Sequence, residues 1–118
     1  MSSASLQQHF KKASRVLKAM SNPHRLHILC ELQGEECSVG ELVRRVGLSQ
    51  SALSQHLARL RRDELVTTRR EAQTIHYSLA SGEIRAILQT LQKIYTEQAA
   101  RGGESPARSK PSRVAARG

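Results

Sequence analysis

The segment Ser38–Leu65, SVGELVRRVGLSQSALSQHLARLRRDEL, constrains this chain more than any other. Ser38 followed by Glu41 is a capping-box signature. Val39, Leu42 and Val46 then make the apolar side of a short helix over about 38–45. Gly47 supplies a turn residue that tolerates positive φ, and Ser49 is placed to cap another helix over 50–62. At about 100° per residue, Leu53, Leu57 and Leu60 cluster within about 60° of that helix. The opposite side holds Ser51, Gln55, Ala58 and Arg62, flanked by Ser54 and Arg59. A helix pair of this kind, with the second member apolar on one side and small, polar and basic on the other, suits a DNA major groove.

The flanking segments complete a fold. Leu6, Phe10, Ala13, Leu17 and Met20 recur at steps of four and three, which predicts one first helix over about 5–20. Asn22-Pro23 is a cap followed by a favoured first helical residue. The helix it starts, ending near Gln33, carries Leu26, Ile28, Leu29, Cys30 and Leu32 nearly all round and is expected to be buried. VTTRR and TIHYSL, joined by EAQ, predict a β-hairpin with strands at 66–70 and 74–79. Ser81 and Glu83 open a last helix to about Gln98, with the stripe Ile84, Ile87, Leu88, Leu91, Ile94 and Tyr95. The order α-α-α-α-β-β-α describes a mainly α (α+β) winged helix-turn-helix. The terminal helices both show seams close to a seven-residue repeat, more than a small core can cover, so a homodimer through the first and last helices is expected.

Composition bears on partners. The chain has 118 residues and a formal net charge of +9, which favours a polyanion. We read a DNA-binding and dimerisation domain over 1–98 and a disordered basic tail over 99–118, rich in Gly, Pro, Ser and Arg. There is one Phe, no Trp and two Tyr, too few for a single-strand binder built on aromatic platforms, so double-stranded DNA is the expected partner. No apolar run approaches membrane-spanning length and no signal-peptide pattern opens the chain, so no membrane partner is expected and the location is read as cytoplasmic. No phosphate loop, metalloprotease helix or defensible nucleophile spacing is present, so the chain is read as no enzyme, without cofactor.

The candidate base contacts are Ser51, Ser54, Gln55 and Arg59, since Gln pairs with adenine, Arg with guanine and Ser with several edges. Ser49, Gln50, His56 and Arg62 join them on the same helix. On the hairpin, Arg69, Arg70, Gln73 and Thr74 suit a minor groove or its phosphates, and Arg44 and Arg45 suit the sugar-phosphate backbone. An architectural DNA-binding protein would need charge on the recognition helix but not Ser51, Ser54 and Gln55. A protein-interaction module would show apolar residues on that exposed side, and this chain does not.

The segments KAMSNPHRLHIL, SVGELVRRVGLSQSALSQHLARLR and LVTTRREAQTIHYSL resemble the ArsR/SmtB family of dimeric winged-helix repressors over roughly residues 10–98. Within it the likeness is nearest to the nodulation-repressor and persulfide-sensing subgroups. The resemblance implies a dimer on an inverted-repeat operator, with Ser51 to Arg62 in the major groove, the 69–74 wing beside it, and repression usually relieved by a ligand or redox signal. The family's usual thiolate metal pair would fall at Ser38 and Gly40, and its last-helix metal site needs His, which residues 83–98 lack. His24, His27 and Cys30 fan over about 120°, too wide to converge easily on a metal. No metal site is therefore expected. Persulfide sensors place one Cys where Cys30 stands and another where this chain has Thr96. Cys30 and Cys37 remain the candidate redox residues, with a small-molecule or redox inducer left open and a thiol-sensing repressor as the alternative reading.

Overall fold

Capping residues set most of the element boundaries. The computed structural model describes residues 3–102. Its elements are α1 (Ser3–Gln7), α2 (Phe10–Met20), α3 (Pro23–Gly34), β1 (Cys37–Ser38), α4 (Val39–Val46), α5 (Gln50–Arg62), β2 (Val66–Glu71), β3 (Thr74–Leu79) and α6 (Gly82–Gly102). The chain divides between Arg85 and Ala86 into two compact units.

Asn22 begins α3 by accepting from the backbone N–H of His24 at 2.9 Å and Arg25 at 3.1 Å. At α4 the capping box is complete: the Ser38 N–H donates to Glu41 Oε1 at 2.8 Å and the Glu41 N–H to Ser38 Oγ at 3.2 Å. Gly47 ends α4 at φ 80°, where its N–H reaches the Val43 carbonyl. Ser49 Oγ then accepts from the Ala52 N–H at 3.1 Å and starts α5. Gly47 and Ser49 together turn α4 into α5 within the space of Val46–Gln50.

The core of the first unit is continuous. Leu53, Leu57 and Leu60 of α5 are buried with Ile28, Leu29 and Leu32 of α3, Leu42 of α4, and Leu65 and Val66 at the entry to the hairpin. In α4 only Leu42 is fully buried, while the expected partners Val39 and Val46 are half-buried. Removing any one of the buried leucines costs about 2–5 kcal/mol by the usual scale of core truncation.

The structure departs from the sequence reading at both terminal helices and in the sheet. The expected single first helix is broken: His9 stands at φ −118°, ψ 12° between α1 and α2, without a side-chain cap. No Pro, Gly or strong capping residue marks the break, and the apolar repeat runs across it. Within α2 the core side is Val16, Ala19 and Met20, whereas Leu6, Phe10 and Leu17 of the expected stripe are exposed. The order gains a strand: β1 pairs with β3 through Cys37↔Tyr77 and Ser38↔His76, giving a three-stranded antiparallel sheet ordered β1-β3-β2. Two residues are too few to show a period. The last helix continues to Gly102, past Gln98 and into the stretch read as tail; the rest of that stretch, 103–118, lies outside the described residues.

In the second unit Leu88 is buried, Ile87 and Leu91 are half-buried, and every residue over 92–100 is exposed. No helix among the described residues is long and apolar enough to cross a membrane.

Candidate nucleic-acid interface

The leucine side of α5 fixes the opposite side in solvent. Gln50, Ser51, Ser54, Gln55, Ala58 and Arg62 are all exposed, and His56 is half-buried. None of Ser51, Ser54 and Gln55 carries a hydrogen bond to another side chain among the described residues, so their polar atoms stay available to an incoming edge. Ser49 is exposed, but its hydroxyl is engaged as the α5 cap.

Arg59 is only partly available. Its Nε donates to Asp63 Oδ2 at 2.7 Å, one turn on, and Asp63 is the C-cap of α5. A carboxylate at a helix C-terminus is opposed by the helix dipole, and the Arg59 pairing offsets that opposition. His56 lies with its ring centroid 5.7 Å from that of His24 on α3. Burial, then the nearby charges of Arg25 and His24, holds the His56 imidazole below the usual histidine range.

The hairpin separates its two adjacent arginines. Successive strand residues point to opposite sides of a sheet. Arg69 pairs with His76, and Thr67 with Ser78, on one side; Arg70 pairs with Ile75, Thr68 with Tyr77, and Val66 with Leu79, on the other. Tyr77 marks which side meets the recognition helix, because it lines a concavity of about 470 Å³ with Ser54, Ala58, Arg61 and Arg62. Arg70 shares the Tyr77 side and makes no ion pair among the described residues. Arg69 is on the far side and is bound to Glu36. Gln73 and Thr74 are exposed at the hairpin tip.

Sequence reasoning missed Arg61 and Tyr77. Arg61 sits beside the leucine side on the wheel and only the hairpin's approach makes it part of a surface. The pairing Thr68↔Tyr77 is the signal that places Tyr77, and it needs strand register. Arg45, read as a backbone contact, is exposed but engaged within the protein: its guanidinium meets Glu35 at 3.0 Å and Cys37 Sγ at 3.4 Å. Arg44 is exposed.

Both cysteines are free thiols. Burial pushes the Cys37 thiol up, against the opposing pull of Arg45. Burial, assisted by Glu31, pushes the Cys30 thiol up as well. A raised thiol pKa lowers the thiolate fraction and slows oxidation. Among the described residues no group of three or more His, Cys, Asp or Glu is arranged to hold a metal ion.

Two short helices about a glycine turn, followed by a hairpin that completes a three-stranded sheet with β1, define a winged helix-turn-helix protein. The family model described as "Bacterial regulatory protein, arsR family" matches residues 22–68, and the transcriptional activator HlyU of Vibrio cholerae is 54% identical over 92 residues, spanning 78% of this chain and 85% of that one. The chain belongs to the ArsR family of bacterial regulatory proteins. Among solved structures, the transcriptional repressor BigR from Xylella fastidiosa superposes with a TM-score of 0.76 at 34% identity, covering 80% of this chain and 97% of that one. A homodimeric winged helix-turn-helix DNA-binding domain from Mycobacterium bovis superposes with a TM-score of 0.72 at 26% identity, covering 86% and 93%.

Proposed function

We propose that this protein is a homodimeric, sequence-specific DNA-binding transcription regulator that acts as a repressor on an inverted-repeat operator. The carrying observation is the exposed side of α5, where Ser51, Ser54 and Gln55 stand free over a leucine core. In this reading α5 enters the major groove. Gln55 pairs with adenine, Ser51 and Ser54 contact neighbouring edges, and Gln50 and His56 reach the groove rim. Arg61, Arg62 and Tyr77 border the concavity through which the phosphate strand beside the groove passes, Arg70 stands further along the Tyr77 side of the hairpin, and Gln73 and Thr74 are at the wing tip. Arg59 contacts DNA only after leaving Asp63.

Related proteins carry both signs of regulation, since HlyU is named an activator and BigR a repressor. Repression is the simpler mechanism for a dimer of this kind: it occupies a promoter and excludes polymerase. The function is regulatory rather than enzymatic, exercised in the cytoplasm where the operator lies. The basic stretch over 99–118, of which 103–118 lie outside the described residues, adds sequence-independent attraction to phosphates.

Selection of bound sequences from random duplex DNA tests the proposal. A two-fold symmetric consensus with half-sites about 10–10.5 bp apart, or a multiple, is expected. On that consensus Gln55→Ala lowers affinity by about 1–3 kcal/mol and relaxes one base position in each half-site. Equal loss on random DNA identifies an architectural protein instead.

A further inference from the structure

The pair Arg69-Arg70 reads in sequence as one basic patch, yet the sheet register sends the two side chains to opposite sides. On the Arg69 side, Glu36 reaches across the whole sheet. It stands one residue before β1, accepts from Ser78 on β3 at 3.5 Å, and meets Arg69 on β2 through Nη2 at 2.5 Å and Nε at 3.3 Å. The contact is bidentate, the geometry that fixes direction as well as distance. Its electrostatic trace is reciprocal: the Arg69 hydrogen bond holds the Glu36 carboxyl below the usual range, and Glu36 raises Arg69 in turn.

Nothing else in the sheet does this. β1 pairs with β3 only at Tyr77 and His76, so the hairpin beyond them is two-stranded. A two-stranded hairpin is marginal by itself in water. Among the described residues, Glu36–Arg69 is the only side-chain hydrogen bond or ion pair that joins β2 to a residue outside the hairpin. Glu71, which contacts both Arg69 at 3.5 Å and His76 at 3.4 Å, extends the same network toward the tip but stays within the hairpin.

We infer that Arg69 is a positioning residue, which with Glu36 ties the wing to the body at the angle that presents Arg70 and Tyr77 to the DNA phosphates. The inference rests on the DNA-binding reading and sharpens it: of two neighbouring wing arginines, one binds DNA and the other binds the protein. A charge argument and a positioning argument predict opposite signs for Glu36→Gln. Removing a carboxylate beside a polyanion, and releasing a cation, tightens binding if charge alone matters. Releasing the wing weakens binding if its angle matters.

The test measures affinity of the full-length protein for its selected operator at several salt concentrations, beside amide hydrogen exchange of the hairpin in the free protein. Arg70→Ala is expected to lower the slope of log affinity against log salt by about 0.9, one phosphate contact. Arg69→Ala and Glu36→Gln are each expected to weaken operator binding about 3–10-fold with the slope unchanged, the double variant no worse than either, as for groups acting as one unit. Both are expected to speed exchange in the free hairpin. A slope reduced by Arg69→Ala as by Arg70→Ala overturns the inference, as does Glu36→Gln tightening binding or leaving it alone. Selection that yields no operator sinks the DNA reading instead, and the exchange measurement then decides on the tether by itself: unaltered exchange in Glu36→Gln overturns it.

Discussion

Two residues with left-handed backbone show how single positions set this fold. Gly47 at φ 80° and Ala72 at φ 57° both stand where a side chain is disfavoured, the first between α4 and α5, the second at the hairpin tip. Gly47 has no heavy atom within 4 Å of where a Cβ would go, so the cost of adding one is backbone strain and not a clash. Gly47→Ala is expected to destabilise the protein by about 1–2 kcal/mol, read as a lower midpoint in urea unfolding with unchanged slope. Ala72 is the converse case. It occupies the first position of a two-residue connection between Glu71 and Thr74, where only that residue has positive φ, and glycine is the favoured occupant there. Relief of strain exceeds the entropy that glycine adds to the unfolded chain only slightly, so Ala72→Gly is expected to gain about 0.5 kcal/mol. An equal loss of stability at both positions would contradict this account of the turns. Gly47 was legible in the sequence because glycine announces such a conformation; Ala72 was not, because alanine does not.

At the scale of elements, legibility followed the length of the repeat. The thirteen residues of α5 show three turns of leucine spacing, and their exposed side could be read off as a list. β1 has two residues and no period, and α1 parts from α2 without a chemical signal. The candidate site divides in the same way. Ser51, Ser54 and Gln55 follow from one helix, whereas the separation of Arg69 from Arg70, and the arrival of Tyr77 beside Ser54, follow from register between strands. Charged partners were the least legible: Asp63 on Arg59 lies one turn away and was within reach of a helix wheel, but Glu36 on Arg69 spans three strands. His56 ties the recognition helix to pH. Its imidazole is held low in the free protein by burial and by Arg25 and His24. A DNA phosphate beside it raises that value, so binding takes up a proton as pH falls into the interval between the free and bound values. Operator affinity is therefore expected to rise from pH 7.5 to about pH 6, and His56→Gln to flatten that rise. An identical pH profile in the variant would place His56 away from the phosphates, packed on His24.

The whole molecule presents apolar surface that its own chain leaves uncovered. Leu6, Phe10 and Leu17 are 45%, 50% and 58% exposed, and in the second unit Ile94 and Tyr95 are 42% and 63% exposed. Ala86, Ile87, Thr90 and Leu91 line a further concavity of about 250 Å³ on α6. Each set continues a helical stripe whose other members are buried or half-buried, which is how a helix looks when a second helix is to pack on it. The sequence pointed to these stripes and to a homodimer; what it hid is that in α2 the core takes Val16, Ala19 and Met20, leaving Leu17 free for a partner. That division makes a clean test available. Leu17→Glu puts a charge on the exposed stripe without touching the core, so the protein is expected to remain folded by circular dichroism while its mass in sedimentation falls from twice 13.1 kDa to 13.1 kDa. A monomer engages one half-site, and losing the linked second contact is expected to cost about 10²–10⁴-fold in operator affinity. Binding to a single half-site should change little, because Ser51, Ser54 and Gln55 remain on α5 as before. A variant that stays dimeric would move the interface off α2, and one that is monomeric yet binds the full operator at parental affinity would remove the link between the two-fold axis and recognition.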